Sequence, residues 1–297
     1  MDNSLLGLEG KVAIVTAGGH GIGKATAVML AKAGVKVVIA EINPETGGAT
    51  QKEITQAGGQ AVFVETDTRL IENVERTVQT ALDKYGRLDI GVNVVGGSRG
   101  PKPAIETTED VYQAVFTQNL ISTLLCSTAF ANAMIKGKRG GAIVNMAALA
   151  ATRAPMGLAP YGVAKAGVKS LTQTLAVELG KHNIRVNAVA PGFIASYNEG
   201  WMATKVGSDL IKKTVPLVRG GKPEDIAGVI VGLVSPLFGY VTGHTVVIDG
   251  GHLAPLPLMA NPDWQAMFVT VSGKSTARKS VPDKTPAPPA KKASKKR

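Results

Sequence analysis

Short apolar runs rich in β-branched residues alternate along this chain with longer segments whose apolar positions recur every three or four residues. Residues 11–16 (KVAIVT) form the first run, and a helical stretch over 24–33 follows it and ends at Gly34. Further runs at 35–40, 61–64 and 88–93 enclose helical stretches at 44–57 and 71–85. Runs of this kind suit strands buried on both faces of a sheet. The second half keeps the rhythm, with a long helical region at 111–134, a strand at 142–145, a helix at 161–180, and strands at 185–189 and 245–248. The alternation predicts βαβ units, so the fold class is α/β: a doubly wound parallel sheet of Rossmann type in a single domain.

Composition sharpens this picture at the C-terminus. The chain has 297 residues, 44% hydrophobic and 19% charged, enough to bury a large core. The domain is expected over residues 1–272. Residues 273–297 are rich in Lys, Pro, Ala and Ser, cannot bury a core, and are expected to be a disordered tail. From Val271 onward nine cations face Asp283 alone, so eight of the eleven net positive charges belong to that end, and the rest of the chain carries only +3. A solvated tail is the favoured reading, since no aromatic residues interleave the lysines. Charge-driven contact with nucleic acid or an anionic surface is the alternative. The N-terminus shows no secretory pattern, and no run of about 18 apolar residues suggests a membrane span. The lone Cys126 sits in an apolar helical stretch and reads as core in a reducing compartment, so a cytoplasmic location is expected.

Three local patterns carry chemistry. The first is the turn Thr16-Ala17-Gly18-Gly19-His20-Gly21-Ile22-Gly23, between the first strand and the first helix. Small residues there let backbone approach a pyrophosphate, and the helix N-terminus offers free N–H groups to it. The second is Glu41, at the end of the second strand. A carboxylate in that place can accept from both hydroxyls of a ribose and repels a 2′-phosphate, which favours NAD over NADP. The third is Tyr161 followed four residues later by Lys165. On a helix the two share a face, so the ammonium is expected to lower the phenol pKa toward neutrality.

Together the glycine turn and the Y-x-x-x-K pair resemble the short-chain dehydrogenase/reductase family, over about residues 8–251. The resemblance implies hydride transfer between a nicotinamide and a carbonyl or alcohol carbon, with Tyr161 moving the proton and Lys165 also reaching the nicotinamide ribose. Asn119 matches the asparagine that holds a water in the proton relay behind the lysine. Asp67, with Thr68 beside it, matches the acidic contact to the adenine. Asn93 and Gly96 match residues that support the sheet and the adenosine wall. Pro191, Gly192 and Ile194 match the turn facing the nicotinamide carboxamide, and Ser196 takes the place of a cofactor-binding threonine. Residues 197–218 match a variable lid over the substrate, to which Tyr197, Trp201, Met202, Val206 and Leu210 bring apolar surface. The expected substrate is therefore a secondary alcohol or ketone of apolar or ring character, and the family implies a homotetramer or dimer. No metal ligand set is expected.

The chain departs from the family pattern at three positions. Ala17 stands where the glycine turn normally opens with glycine, which costs roughly 1 kcal/mol if the backbone there has positive φ. Val94 replaces a second asparagine after Asn93. Ala148, in Asn145-Met146-Ala147-Ala148-Leu149, replaces a serine that helps hold the substrate oxygen. Losing one such donor costs ~10²–10³ in rate. Three outcomes follow: a slow enzyme, another hydroxyl such as Thr152 reaching in, or a cofactor-binding protein with weak or no catalysis.

Overall fold

The computed structural model describes residues 3–196 and 199–254. Tyr197, residues 255–272 of the expected domain and the whole tail at 273–297 lie outside the described residues.

Seven strands form one parallel sheet. In chain order the elements are β1 (Val12–Thr16), α1 (Gly21–Lys32), β2 (Lys36–Glu41), α2 (Pro44–Gln56), β3 (Ala61–Glu65), α3 (Ile71–Tyr85) and β4 (Ile90–Asn93), then α4 (Glu109–Phe116), α5 (Ser122–Gly137), β5 (Gly141–Met146), α6 (Ala159–Leu179), β6 (Ile184–Pro191), α7 (Glu199–Ala203), α8 (Lys205–Thr214), α9 (Pro223–Val234) and β7 (Thr245–Ile248). The strand order is β3-β2-β1-β4-β5-β6-β7. The connections leave β1 in one direction and resume from β4 in the other, and the crevice at that reversal is where open α/β sheets hold ligands.

Alternation along β1 sets the two layers. Ala13 and Val15 face one side, with Leu30 of α1 and Ile226 and Ile230 of α9. Val12 and Ile14 face the other, with Val74 of α3, Phe130 and Met134 of α5 and Leu175 of α6. Both faces are dry, which is why the strands read as unbroken apolar runs. Asp89, just before β4, accepts from the Val12 amide at 2.9 Å and pairs with Arg87, so it secures the sheet. Cys126 is buried in the second layer, and burial pushes its thiol up to about 12.

Two elements differ from the sequence expectation. Helix α1 begins at Gly21 rather than residue 24, so the last glycines of the turn form its first turn. The long helical region predicted over 111–134 is interrupted by a π-helical turn, Thr117–Ile121, between α4 and α5. Hydropathy does not register one wide turn inside a helix. Such turns concentrate at functional sites, and this one carries Asn119. Over Glu109–Gly137 this region is long and apolar enough to cross a membrane by length and composition. Phe130, Ala131 and Met134 instead pack into the second layer, as in a core helix.

Candidate active site

A cleft of about 630 Å³ opens at the C-terminal ends of the strands, within the usual size of a small-molecule site. The strand order puts the residues after β2 and β3 at one end of it and those around β5, β6 and α6 at the other.

The glycine turn is built for close approach. Ala17 has φ +50°, so the left-handed conformation suspected from the sequence is present and alanine bears its strain. A Cβ on Gly23 would lie 2.0 Å from the Ala17 carbonyl oxygen, and one on Gly19 would lie 2.6 Å from Thr46 Oγ1. His20, Gly21 and Ile22 line the cleft, whereas Thr16, Gly18, Gly19 and Gly23 shape the turn from behind. The buried Thr16 hydroxyl accepts from the Val94 amide at 2.9 Å, tying β1 to the chain after β4. With no acidic residue in its first turn, α1 presents an N-terminus suited to an anion.

Glu41 is buried and lines the cleft. Its carboxylate accepts from the Gly19 amide at 3.1 Å, the Ile42 amide at 2.9 Å and the Asn43 amide at 3.1 Å. A carboxylate offers about four acceptor sites, so about one remains for an incoming hydroxyl instead of the two that a paired ribose grip needs. Asp67 and Thr68 line the same end. The Arg69 guanidinium grips Asp67 at 2.6 and 2.9 Å and holds its carboxyl below the usual carboxylate range.

The opposite end is organised around α6. Tyr161 and Lys165 both line the cleft. Lys165 is only 1% exposed; its Nζ donates to the Met146 carbonyl at 2.8 Å and lies 5.7 Å from the Tyr161 ring centroid. A Cβ on Gly96 would lie 2.7 Å from both Lys165 Nζ and Asn119 Oδ1, so only glycine fits there. The expected lowering of the phenol by the ammonium is not what the structure shows. Burial pushes Tyr161 up to about 12 and Lys165 down to about 7. Lys165 directs its hydrogen bond at Met146, and desolvation penalises both charged forms.

Asn119 and Asn93 lie behind the cleft wall. The Asn119 side chain accepts from the Gly97 amide at 3.1 Å and donates to the Gly97 carbonyl at 2.9 Å and the Val115 carbonyl at 2.8 Å. It therefore clamps the chain after β4 to the π turn. Asn93 Nδ2 donates to Ser127 Oγ and to Asn145 Oδ1, each at 2.9 Å, and stitches the ends of β4 and β5 to α5.

Pro191, Gly192, Ile194 and Ser196 all line the cleft. The turn is strapped down by the Gly192 amide donating to Ile248 at 2.9 Å and the Ala195 amide donating to Gly221 at 2.9 Å. Trp201 and Met202 line the cleft as expected, whereas Val206 and Leu210 are exposed on α8 and do not. Ala148 lines the cleft with only its methyl group, and Thr152 is exposed outside it, so Thr152 does not replace the missing serine hydroxyl. Several lining residues do not stand out in the sequence, among them Phe193, Gln118 and Arg99. Phe193 stacks at 5.8 Å from Trp201, Gln118 sits beside Asn119, and Arg99 follows the Gly96 turn. Gln118 was open to detection only as the neighbour of Asn119.

The cleft fits a dinucleotide: a glycine-bearing helix N-terminus with no acidic residue in its first turn, a carboxylate at one end, and a tyrosine–lysine pair at the other. Comparison with known proteins agrees. A family described as enoyl-(acyl carrier protein) reductase matches residues 16–252. The short chain dehydrogenase/reductase astE of Aspergillus oryzae is 39% identical over 250 residues, covering 82% of this chain and 95% of that protein. The 3-oxoacyl-[acyl-carrier-protein] reductase of a Synechocystis species is 39% identical over 246 residues, covering 82% and 97%. Among solved structures, a 7α-hydroxysteroid dehydrogenase complexed with NADH and 7-oxo glycochenodeoxycholic acid superposes with a TM-score of 0.78 at 34% identity, covering 82% of this chain and 94% of that one.

Proposed function

The chain belongs to the short-chain dehydrogenase/reductase family of oxidoreductases, and from that premise we propose that it transfers a hydride between NAD(H) and an apolar or ring-shaped secondary alcohol or its ketone. The observation that carries this reading is the buried Lys165 one helical turn from Tyr161, both on the wall of the cleft that starts at the glycine turn. The nicotinamide supplies the hydride chemistry when bound. The chain's own residues supply the proton and the orientation.

The Tyr161 hydroxyl gives its proton to the substrate oxygen in reduction and takes it back in oxidation. Lys165, poised near neutrality, hands protons to it. Asn119 keeps the relay region in register through Gly97. His20, Gly21 and Ile22 would hold the pyrophosphate, Asp67 and Thr68 the adenine, and Pro191, Gly192, Ile194 and Ser196 the carboxamide. Glu41 supports NAD over NADP, because its buried charge opposes a 2′-phosphate. Phe193, Trp201 and Met202 support an apolar substrate, and the steroid-bound neighbour adds to that. Exposed Val163 and Val177 on α6 support packing against a second copy, as a dimer or tetramer. A cytoplasmic location fits the lone buried Cys126.

Ala148 favours a second reading, a cofactor-binding protein with little turnover. One experiment separates the two. The full chain is assayed for NADH and NADPH oxidation and NAD reduction across cyclic and aliphatic ketones and secondary alcohols, beside Tyr161→Phe. Turnover that Tyr161→Phe lowers ~10²–10⁴-fold is the expected result. Tight NADH binding without turnover across the panel selects the second reading, and turnover that survives Tyr161→Phe removes the proton assignment.

A further inference from the structure

We propose that the Gln118 carboxamide donates the hydrogen bond to the substrate oxygen that Ala148 cannot. The inference rests on the hydride-transfer reading of the same cleft and identifies the group that keeps it workable.

A donor is needed on the wall near Tyr161. Ala148 offers a methyl group, Ala147 is buried, and Thr152 lies outside the cleft. Of the side-chain hydroxyls besides Tyr161 that do line it, Thr66 is bonded to Thr77 at 2.7 Å, Thr68 follows β3 at the far end, and Ser196 belongs to the turn after β6 assigned above to the cofactor. Gln118 is half-buried, lines the cleft, and its carboxamide has no hydrogen-bond partner among the described residues. Its main-chain carbonyl is already taken by Ser122 Oγ at 2.6 Å, so the side chain is its free polar group.

The placement follows from the π turn. Asn119 clamps Gly97 by donating to its carbonyl and accepting from its amide. Gln118 Nε2 lies 3.4 Å from where a Cβ on Gly97 would sit, and the neighbouring Gly96 sits against Lys165 Nζ. The free amide therefore lies beside Gly97, the residue next in the chain to the glycine that packs against the lysine serving Tyr161. An amide N–H aimed at an oxygen gaining negative charge stabilises it without giving up a proton. Tyr161 still supplies the proton, and Gln118 ends the cycle as it began.

The test compares the wild type, Gln118→Met, Ala148→Ser and the double variant across the same panel of ketones. Methionine keeps the length and removes the donor. Gln118→Met is expected to lower kcat ~10²–10³-fold, with KM, NADH affinity by fluorescence titration and Tm all near wild type. In the Ala148→Ser background the same substitution costs less than about threefold, because the restored hydroxyl takes over. Three results overturn the proposal. Gln118→Met could keep wild-type kcat while an Arg99→Leu variant loses it. Equal losses in both backgrounds would mark a structural role. Weakened NADH binding or a lowered Tm would do the same. Absence of turnover in all four proteins overturns the hydride-transfer reading itself, a different result from turnover that Gln118→Met leaves intact.

Discussion

The two ends of the cleft handle their polar groups in opposite ways. At the β2–β3 end the protein satisfies them itself: Glu41 accepts from three backbone amides, Asp67 is gripped by Arg69, and Thr66 is bonded to Thr77. At the α6 end they are left open. The Tyr161 hydroxyl and the Gln118 carboxamide have no hydrogen-bond partner among the described residues, and Lys165 makes a single bond to Met146. A binding end that is already organised loses little freedom when a ligand arrives. A reacting end must keep its donors free for charge that appears only during the reaction.

The contrast can be broken first at Lys165. Lys165→Met is expected to lower turnover ~10²-fold or more, as loss of a proton-transfer partner does. The same variant tests whether burial holds the lysine near neutrality. In the folded protein Lys165 sheds its proton near pH 7, whereas an unfolded chain keeps it to about 10.4. The unfolded state binds more protons in that window, so stability rises with pH from about 7 to about 10. Above about 10 the raised Tyr161 reverses the sign, because the folded phenol keeps a proton that the unfolded one has lost. Denaturant unfolding across pH should show the rise in the wild type and a flat profile in Lys165→Met. A wild type with no such rise means that the folded lysine stays charged.

Glu41→Ala probes the saturated end with a smaller effect. It removes the acceptor from three amides and takes away the charge facing a 2′-phosphate. Hydrogen bonds to a charged group contribute about 1.5–3 kcal/mol each, so KM for NAD should rise about tenfold, with a matching shift of preference toward NADP. Unchanged selectivity in steady-state kinetics would remove Glu41 from cofactor discrimination. The smallest effect is at Ala17. Ala17→Gly relieves a positive φ and should stabilise the protein by about 1 kcal/mol in urea unfolding. Equal stability would mean that the turn bears no strain there.

Much of the fold was legible because its signal is local. Each strand is buried on both faces, so each reads as an apolar run, and all seven lie where the hydropathy places them to within two residues. The glycine turn and the Y-x-x-x-K pair were legible for the same reason, since their partners lie within one turn of helix or one loop. The π turn was not, because a single wide turn leaves the apolar periodicity of its helix intact. Val206 and Leu210 were expected in the cleft from their place in a segment resembling the family's lid, yet on α8 they are exposed.

By itself the sequence determined the order of strands and helices, the place of the nucleotide turn, and the pairing of a phenol with an amine, because each depends on residues near one another along the chain. Tertiary structure alone decided what those groups do electrostatically. Glu41 meets the Gly19 amide across a βα unit, Lys165 reaches Met146 from another element, and burial then moves Tyr161 and Lys165 in opposite directions. Desolvation depends on how much protein surrounds a charge from every side, a quantity that arises only once the layers have packed.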